Sequence, residues 1–288
     1  MKWIEYVKPT TLDEAIEALA DKAVKSRSMA GGTDLIVQLR NRSPKVHLGR
    51  IVDLKGISEL NGLTHSFDDG LTIGSTVPCY RIYENESINK YFPALLDSAR
   101  IIGGVPIQGR ASFGGNLCNA SPSADSISNL IVHDAVANIV GPKGHRSIPV
   151  KDFCLAPGKT ALEDDEILIS INVPTPAIGF AASYLRFTPR NEMDIAVVGA
   201  AVSVVVRNGY FETGQVCLSA VAPIPLVLEG VGTILKNQPV SDHIIEAVAD
   251  EGKKQARPIS DMRGTSEFRK HLSAVMITRA FHKAIQRT

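Results

Sequence analysis

Ala111-Ser112-Phe113-Gly114-Gly115-Asn116-Leu117-Cys118-Asn119-Ala120-Ser121-Pro122-Ser123-Ala124-Asp125 is the most informative stretch of the chain. Adjacent glycines let backbone approach a ligand without a clashing Cβ and let the chain enter positive φ. Several N–H groups can then point into one concavity, which suits an anion such as a phosphate. Ser112, Asn116, Asn119 and Ser121 add neutral hydrogen-bonding groups. Asp125 can accept bonds from sugar hydroxyls, as an acidic residue does in other dinucleotide sites.

A similar device lies upstream, at Met29-Ala30-Gly31-Gly32-Thr33-Asp34-Leu35. Two such loops facing each other can hold the two phosphates of one dinucleotide. The plainer alternative is a pair of tight turns.

The bulk properties narrow the setting. The chain has 288 residues, 44% hydrophobic and 21% charged, which is ordinary globular composition with room for two or three domains. A net charge of +1 gives no reason to expect nucleic acid or a membrane surface. No apolar run reaches the roughly 20 residues that span a bilayer, and the first residues do not read as a signal peptide. Cys79, Cys118, Cys154 and Cys217 lie far apart without a C-x-x-C pair. They read as reduced thiols in a cytoplasm rather than cluster ligands. The histidines, His47 among them, form no ligand pair, so no metal site is expected.

Taken in order, Thr11-Leu12-Asp13-Glu14 reads as a capping box before a helical stripe of Leu12, Ala15, Ile16 and Leu19. Leu35 to Leu39 opens a second helix behind the first Gly-Gly loop. Ile51 to Leu54 and Leu71 to Gly74 read as strands, and Pro93 to Arg100 as a helix. Ile127 to Val140 is mostly apolar, and its second half reads as a strand before the turn at Gly141-Pro142-Lys143-Gly144. Glu166 to Val173 alternates as a strand and stops at Pro174. After Pro174-Thr175-Pro176 the character changes. Ile195 to Val206 is a long β-rich run, Gln215 to Val221 reads as its neighbour, and Phe268, Leu272, Val275, Met276 and Ala280 form a helical stripe.

Other motifs are weaker. Ala156-Pro157-Gly158-Lys159-Thr160 lacks the glycine a phosphate-binding P-loop needs. The charged segment from Arg186 through Arg190, Glu192 and Asp194 is either a solvated turn or a site element, with Arg186 reaching across the domain boundary. His133-Asp134 reads as structural inside its apolar stretch. No nucleophile elbow is present, and no catalytic acid, base or nucleophile is assigned.

In sum these residues resemble the FAD-binding medium subunits of the molybdenum hydroxylases, the xanthine dehydrogenase and carbon monoxide dehydrogenase family. The marks run in order along nearly the whole chain. They are Ala30-Gly31-Gly32-Thr33-Asp34, Gly114-Gly115-Asn116 with Ser121-Pro122 and Asp125, and Pro157-Gly158-Lys159-Thr160 before Glu166-Ile167. Arg190 with Asp194-Ile195-Ala196, Ala222-Pro223 and Pro258-Ile259-Ser260-Asp261-Met262-Arg263-Gly264 complete the set.

The resemblance implies an α+β protein. Its N-terminal FAD-binding half has two α/β subdomains like those of vanillyl-alcohol oxidase, residues 1–56 and 57–175. A C-terminal α+β domain, residues 176–288, carries an antiparallel sheet and helices. It implies that Ser28, Met29, Ala30, Gly31, Gly32, Thr33, Asp34 and Leu35 wrap the FAD pyrophosphate together with Ser112, Phe113, Gly114, Gly115 and Asn116. Asp125 then binds the ribityl or ribose region, Leu168 packs near the flavin ring, and Arg186 stands near that ring where relatives often have Lys. Ser112 stands where Thr is common. The cysteine-rich insertion of the aromatic acyl-CoA-reducing relatives is missing. The implied partners are a large subunit with the molybdenum cofactor and a small subunit with [2Fe-2S] clusters, in a dimer of heterotrimers. Electrons would pass from the clusters through FAD to an acceptor such as NAD. A free-standing FAD-dependent oxidase or reductase with its own substrate pocket is the alternative.

Overall fold

The computed structural model describes residues 3–41 and 48–288; Met1, Lys2 and His47 lie outside them. Three sheets organise the chain. The first has three parallel strands in the order Glu5–Val7, Arg50–Asp53, Ser26–Met29. Parallel neighbours need crossover connections, and the helices Leu12–Ala20 and Leu35–Arg40 lie in the two crossovers. Thr11 caps the first helix by accepting from the Glu14 N–H at 3.3 Å. The Glu14 carboxylate reaches one residue further back than a capping box does, accepting from the N–H of Thr10 at 2.8 Å. Ala15 and Leu19 of this helix share a core with Val52, Ile57 and Leu60, and with Val140 and Ile167 of the second sheet.

That second sheet is antiparallel throughout, in the order Leu63–Ser66, Gly70–Gly74, Ile167–Val173, Val136–Gly141, Gly144–Pro149. Its middle strand is the last in sequence. Between Gly70–Gly74 and Val136–Gly141 the chain leaves the sheet for six short helices, among them Pro93–Ala99, Phe113–Asn119 and Asp125–Ile131. They bury Leu95, Phe113, Leu117, Ile127 and Leu130 against the sheet residues Ile73, Ile139 and Ile171.

The third sheet pairs Phe180–Phe187, Val198–Arg207, Tyr210–Ser219 and Leu226–Val227, all antiparallel. The helices Asp242–Gln255 and Ser266–Ile285 cover one face with Val248, Leu272, Met276, Ile277 and Phe281. Phe268 and Val275, expected on that stripe, are not in this core. The other face is covered too, because Tyr184, Ala201 and Cys217 belong to the core of the second unit. Burial on both faces explains the run Val198 to Val205, where every residue is buried and apolar–polar alternation is lost.

Asp97 fastens this junction. Its carboxylate accepts from Lys283 Nζ at 2.8 Å, from Arg287 Nη1 and Nη2 at 2.8 and 2.9 Å, and from the N–H of Tyr184 at 3.1 Å. Burial alone would raise its pKa, but the bonds from Arg287 and Lys283 outweigh it and hold the carboxyl below the usual aspartate range. Among the described residues no helix is long and apolar enough to cross a membrane.

Candidate cofactor site

A cleft of about 530 Å³ opens between the first and second units. Each unit brings one Gly-Gly loop to it. Residues 30–34 follow the strand Ser26–Met29 and lead into the helix Leu35–Arg40. The Lys55 ammonium fixes this loop from behind, donating to the carbonyl of Ala30 at 3.0 Å while it pairs with buried Asp53. The second loop lies at the start of the helix Phe113–Asn119, where Ser112 is the N-cap. The Ser112 hydroxyl accepts from the N–H of Gly115 at 2.9 Å and donates to the carbonyl of Ser75 at 2.8 Å. Both bonds serve the fold, so this hydroxyl has no proton left for a ligand.

The glycines divide by what crowds them. A Cβ on Gly31 would stand 1.8 Å from the carbonyl oxygen of Arg110, so the two loops touch backbone to backbone. On Gly114 it would stand 2.4 Å from the carbonyl oxygen of Ser75. These two are required by the protein's own packing. Gly115 is different. A Cβ there meets only Ser112 Oγ at 3.1 Å and Ala30 Cβ at 3.9 Å, between the two loops. No backbone atom crowds Gly115, and its open side faces the space between the loops, where backbone without a Cβ leaves room for a ligand.

Most of the expected residues meet in this cleft. Ser28 to Leu35, Ser112, Gly114, Gly115, Asn116 and Leu168 all line it. Leu168 lies at an irregularity in the pairing of its strand with Val136–Gly141. Three expected residues do not line it. Phe113 is fully buried in the core beneath, because the first turn of its helix packs there. Asp125 and Arg186 face each other, with Arg186 Nη1 donating to Asp125 Oδ2 at 2.7 Å and the Tyr184 hydroxyl donating to Asp125 Oδ1 at 3.0 Å. Burial pushes the Asp125 carboxyl up to about 6, against the pull of Arg186. Arg186 therefore does cross the domain boundary, and it meets a carboxylate there. Arg190 and Arg263 likewise both pair with Asp194, at 3.5 and 3.6 Å, so the charged turn is tied down.

Several lining residues gave no sequence signal. Lys25 and Arg27 bring cations to the cleft, and Ser75 forms part of its wall. Lys159 and Thr160 line it from a hairpin whose turn is Gly158 at φ 73°, and no helix begins there, so the incomplete P-loop motif is a β-turn. Glu166 is clamped by Arg146 at 2.7 and 2.6 Å and accepts from the N–H of Glu163 at 2.8 Å, which anchors the loop beside it. Cys118 lines the cleft, but burial pushes its thiol up to about 12. His133 Nδ1 donates to the carbonyl of Asn129, 2.7 Å away, and burial drives the pKa of the imidazole down to about 4, leaving it neutral. No group of metal-ligating side chains occurs among the described residues.

Comparison with known families agrees. Residues 2–176 match the FAD binding domain in molybdopterin dehydrogenase, and residues 183–284 match the CO dehydrogenase flavoprotein C-terminal domain. The chain belongs to the FAD-binding molybdopterin dehydrogenase family. Among members of this family, it is 32% identical to the xanthine dehydrogenase FAD-binding subunit of Escherichia coli O157:H7, over 97% of this chain and 95% of that one. It is 27% identical to the carbon monoxide dehydrogenase medium chain of Afipia carboxidovorans, over 97% and 96%. It superposes on a chain of carbon monoxide dehydrogenase from Hydrogenophaga pseudoflava with a TM-score of 0.94 at 25% identity, covering 99% and 98% of the two chains. As a member of the family it is an FAD-binding medium subunit of the molybdenum hydroxylase type. The open side of Gly115, a volume of about 530 Å³ and the cationic side chains of Lys25, Arg27 and Lys159 fit an elongated dinucleotide carrying two phosphates.

Proposed function

We propose that this chain is the electron-transferring flavin subunit of a multi-subunit molybdenum-containing dehydrogenase. It takes electrons from [2Fe-2S] clusters of a small partner subunit and delivers them to an external acceptor such as NAD, in the cytoplasm. A large partner subunit with the molybdenum cofactor carries out the hydroxylation, and the three form a dimer of heterotrimers. The observation that carries this reading is Gly115, whose missing Cβ opens onto the space between two loops held in contact by Gly31.

When bound, FAD supplies reversible one- and two-electron chemistry. The residues of the chain bind and orient it. The loops at residues 30–33 and 112–116 would hold the pyrophosphate, and Lys25 and Arg27 would neutralise its charge. Leu168 packs against the ring and keeps water from that face. Asp125 and Arg186 set the C-terminal domain against the helix behind Asn116, whose side-chain carbonyl accepts from Ser126 Oγ at 2.6 Å.

The visible spectrum and metal content of the natively purified protein test this. Flavin bands with iron and molybdenum in the same particle are expected. An isolated chain that binds flavin and turns over its own substrate overturns the subunit reading in favour of a free-standing oxidase. Failure to take up added FAD overturns the site.

A further inference from the structure

One polar atom in the wall of the cleft has no partner. Ser75 is 95% buried, and its Oγ makes no hydrogen bond. Its backbone is fully used. The N–H donates to the carbonyl of Ile169 at 2.9 Å and the carbonyl accepts from Ser112 Oγ at 2.8 Å. A buried hydroxyl without a partner is costly, so in native proteins such groups nearly always meet one. The placement of Ser75 indicates which partner. It lines the cleft, directly behind Gly114 and beside the strand that carries Leu168. It therefore stands between the loop assigned to the pyrophosphate and the residue assigned to the flavin ring. A serine hydroxyl swings between three staggered positions about one bond, which lets it turn from the wall towards a ligand.

We propose that the Ser75 hydroxyl is a hydrogen-bond contact to the ribityl chain of bound FAD. The inference rests on the FAD reading given above and adds a ligand that the sequence did not mark. Ser112, the hydroxyl the sequence pointed to, is committed to the fold, and the hydroxyl of the residue it bonds to is the free one.

The full chain, stripped of flavin, is titrated with FAD, FMN and ADP while flavin fluorescence or heat is followed, and its melting is recorded without ligand. For Ser75→Ala, FAD and FMN bind about five- to tenfold more weakly, the worth of one hydrogen bond. ADP, which lacks the ribityl chain, binds as before. The flavin-free variant melts at the same temperature or higher, because an unsatisfied hydroxyl has gone. A merely structural serine moves melting and leaves the FAD-to-ADP ratio alone. Unchanged FAD affinity overturns the proposal, as does an equal loss for ADP. Should the alanine variant fail to fold, Ser75→Cys replaces the hydroxyl by a poorer donor of similar shape and must show the same selective loss. Wild-type protein that binds no FAD sinks the underlying reading instead, so the two failures are separable.

Discussion

Arg186 and Asp125 form an ion pair of 2.7 Å across the boundary between the C-terminal domain and the second unit, with each side chain only 9% exposed. The pair sits where two cores meet, next to the Tyr184 hydroxyl. A buried pair of this kind adds little over an apolar contact, but breaking it leaves an uncompensated charge.

Arg186→Met therefore strands the Asp125 carboxylate. Urea unfolding at pH 7 should show a loss of about 3–5 kcal/mol. The sign of the pH effect follows from linkage. The folded Asp125 already titrates at about 6 against an ordinary 3.8, so the folded chain holds its proton more tightly than the unfolded chain. Its contribution is best at low pH and is lost as pH rises between those values. Without Arg186 the folded value climbs further. The deficit of the variant should be smaller at pH 5.5 than at pH 7; a deficit that grows on acidification contradicts the assignment.

Asp97 has the opposite sign. Its folded carboxyl lies below the ordinary value of 3.8, so its contribution is present above that value and lost as pH falls through the folded one. Asp97→Asn leaves Lys283 and Arg287 facing a neutral amide. Stability at pH 7 should drop by roughly 2 kcal/mol, and the variant should show a shallower acid limb than wild type in a pH series of melting curves. Matching acid limbs would exclude the clamp as a titrating contact.

The glycines of the cleft separate folding from binding. Gly31→Ala puts a Cβ into the Arg110 carbonyl and should abolish soluble expression or cooperative melting. Gly115→Ala meets only contacts of 3.1 and 3.9 Å, so the chain should fold with a melting temperature close to wild type. Its FAD affinity should fall by about tenfold or more, as expected where backbone must approach a ligand closely. Full flavin occupancy in Gly115→Ala would show that the dinucleotide does not pass between the loops.

Lys55 holds the first loop through the Ala30 carbonyl. Lys55→Met keeps the aliphatic stem and removes that bond. FAD should dissociate several-fold faster by stopped-flow fluorescence, while ADP and FAD are affected alike, since the loop contacts the phosphates they share. An unaltered off-rate would show that the loop is rigid without Lys55.

Much of this was legible in the sequence because glycine pairs, caps and strand alternation are local signals. The helix Leu35–Arg40 and the strand Ile167–Val173 needed only their own residues to be recognised. The α+β class followed from the change of character after Pro176. What could not be read was everything set by long-range packing. The continuous burial of Val198 to Val205 depends on a second unit covering the far face of the sheet. Of the six short helices between Gly70–Gly74 and Val136–Gly141 only Pro93–Ala99 is legible as one, since the others have too few turns to print a period. Ser75 carries no motif, and Asp97 meets Arg287 from 190 positions away. Asp125 and Arg186 were both singled out, yet only the fold shows that they are each other's partners.

The contact between Gly31 and the Arg110 carbonyl joins the loop that leaves the first sheet to the loop that opens the helix Phe113–Asn119. Each loop is thereby ordered by its neighbour as the polypeptide collapses, without help from a bound molecule. The conformational entropy of both loops is lost on folding rather than on cofactor uptake. On the proposed reading the dinucleotide would then enter a rigid frame, and its affinity would owe nothing to the ordering of those loops. Flavin should consequently be removable and replaceable under native conditions, with the empty chain retaining its shape between one occupant and the next.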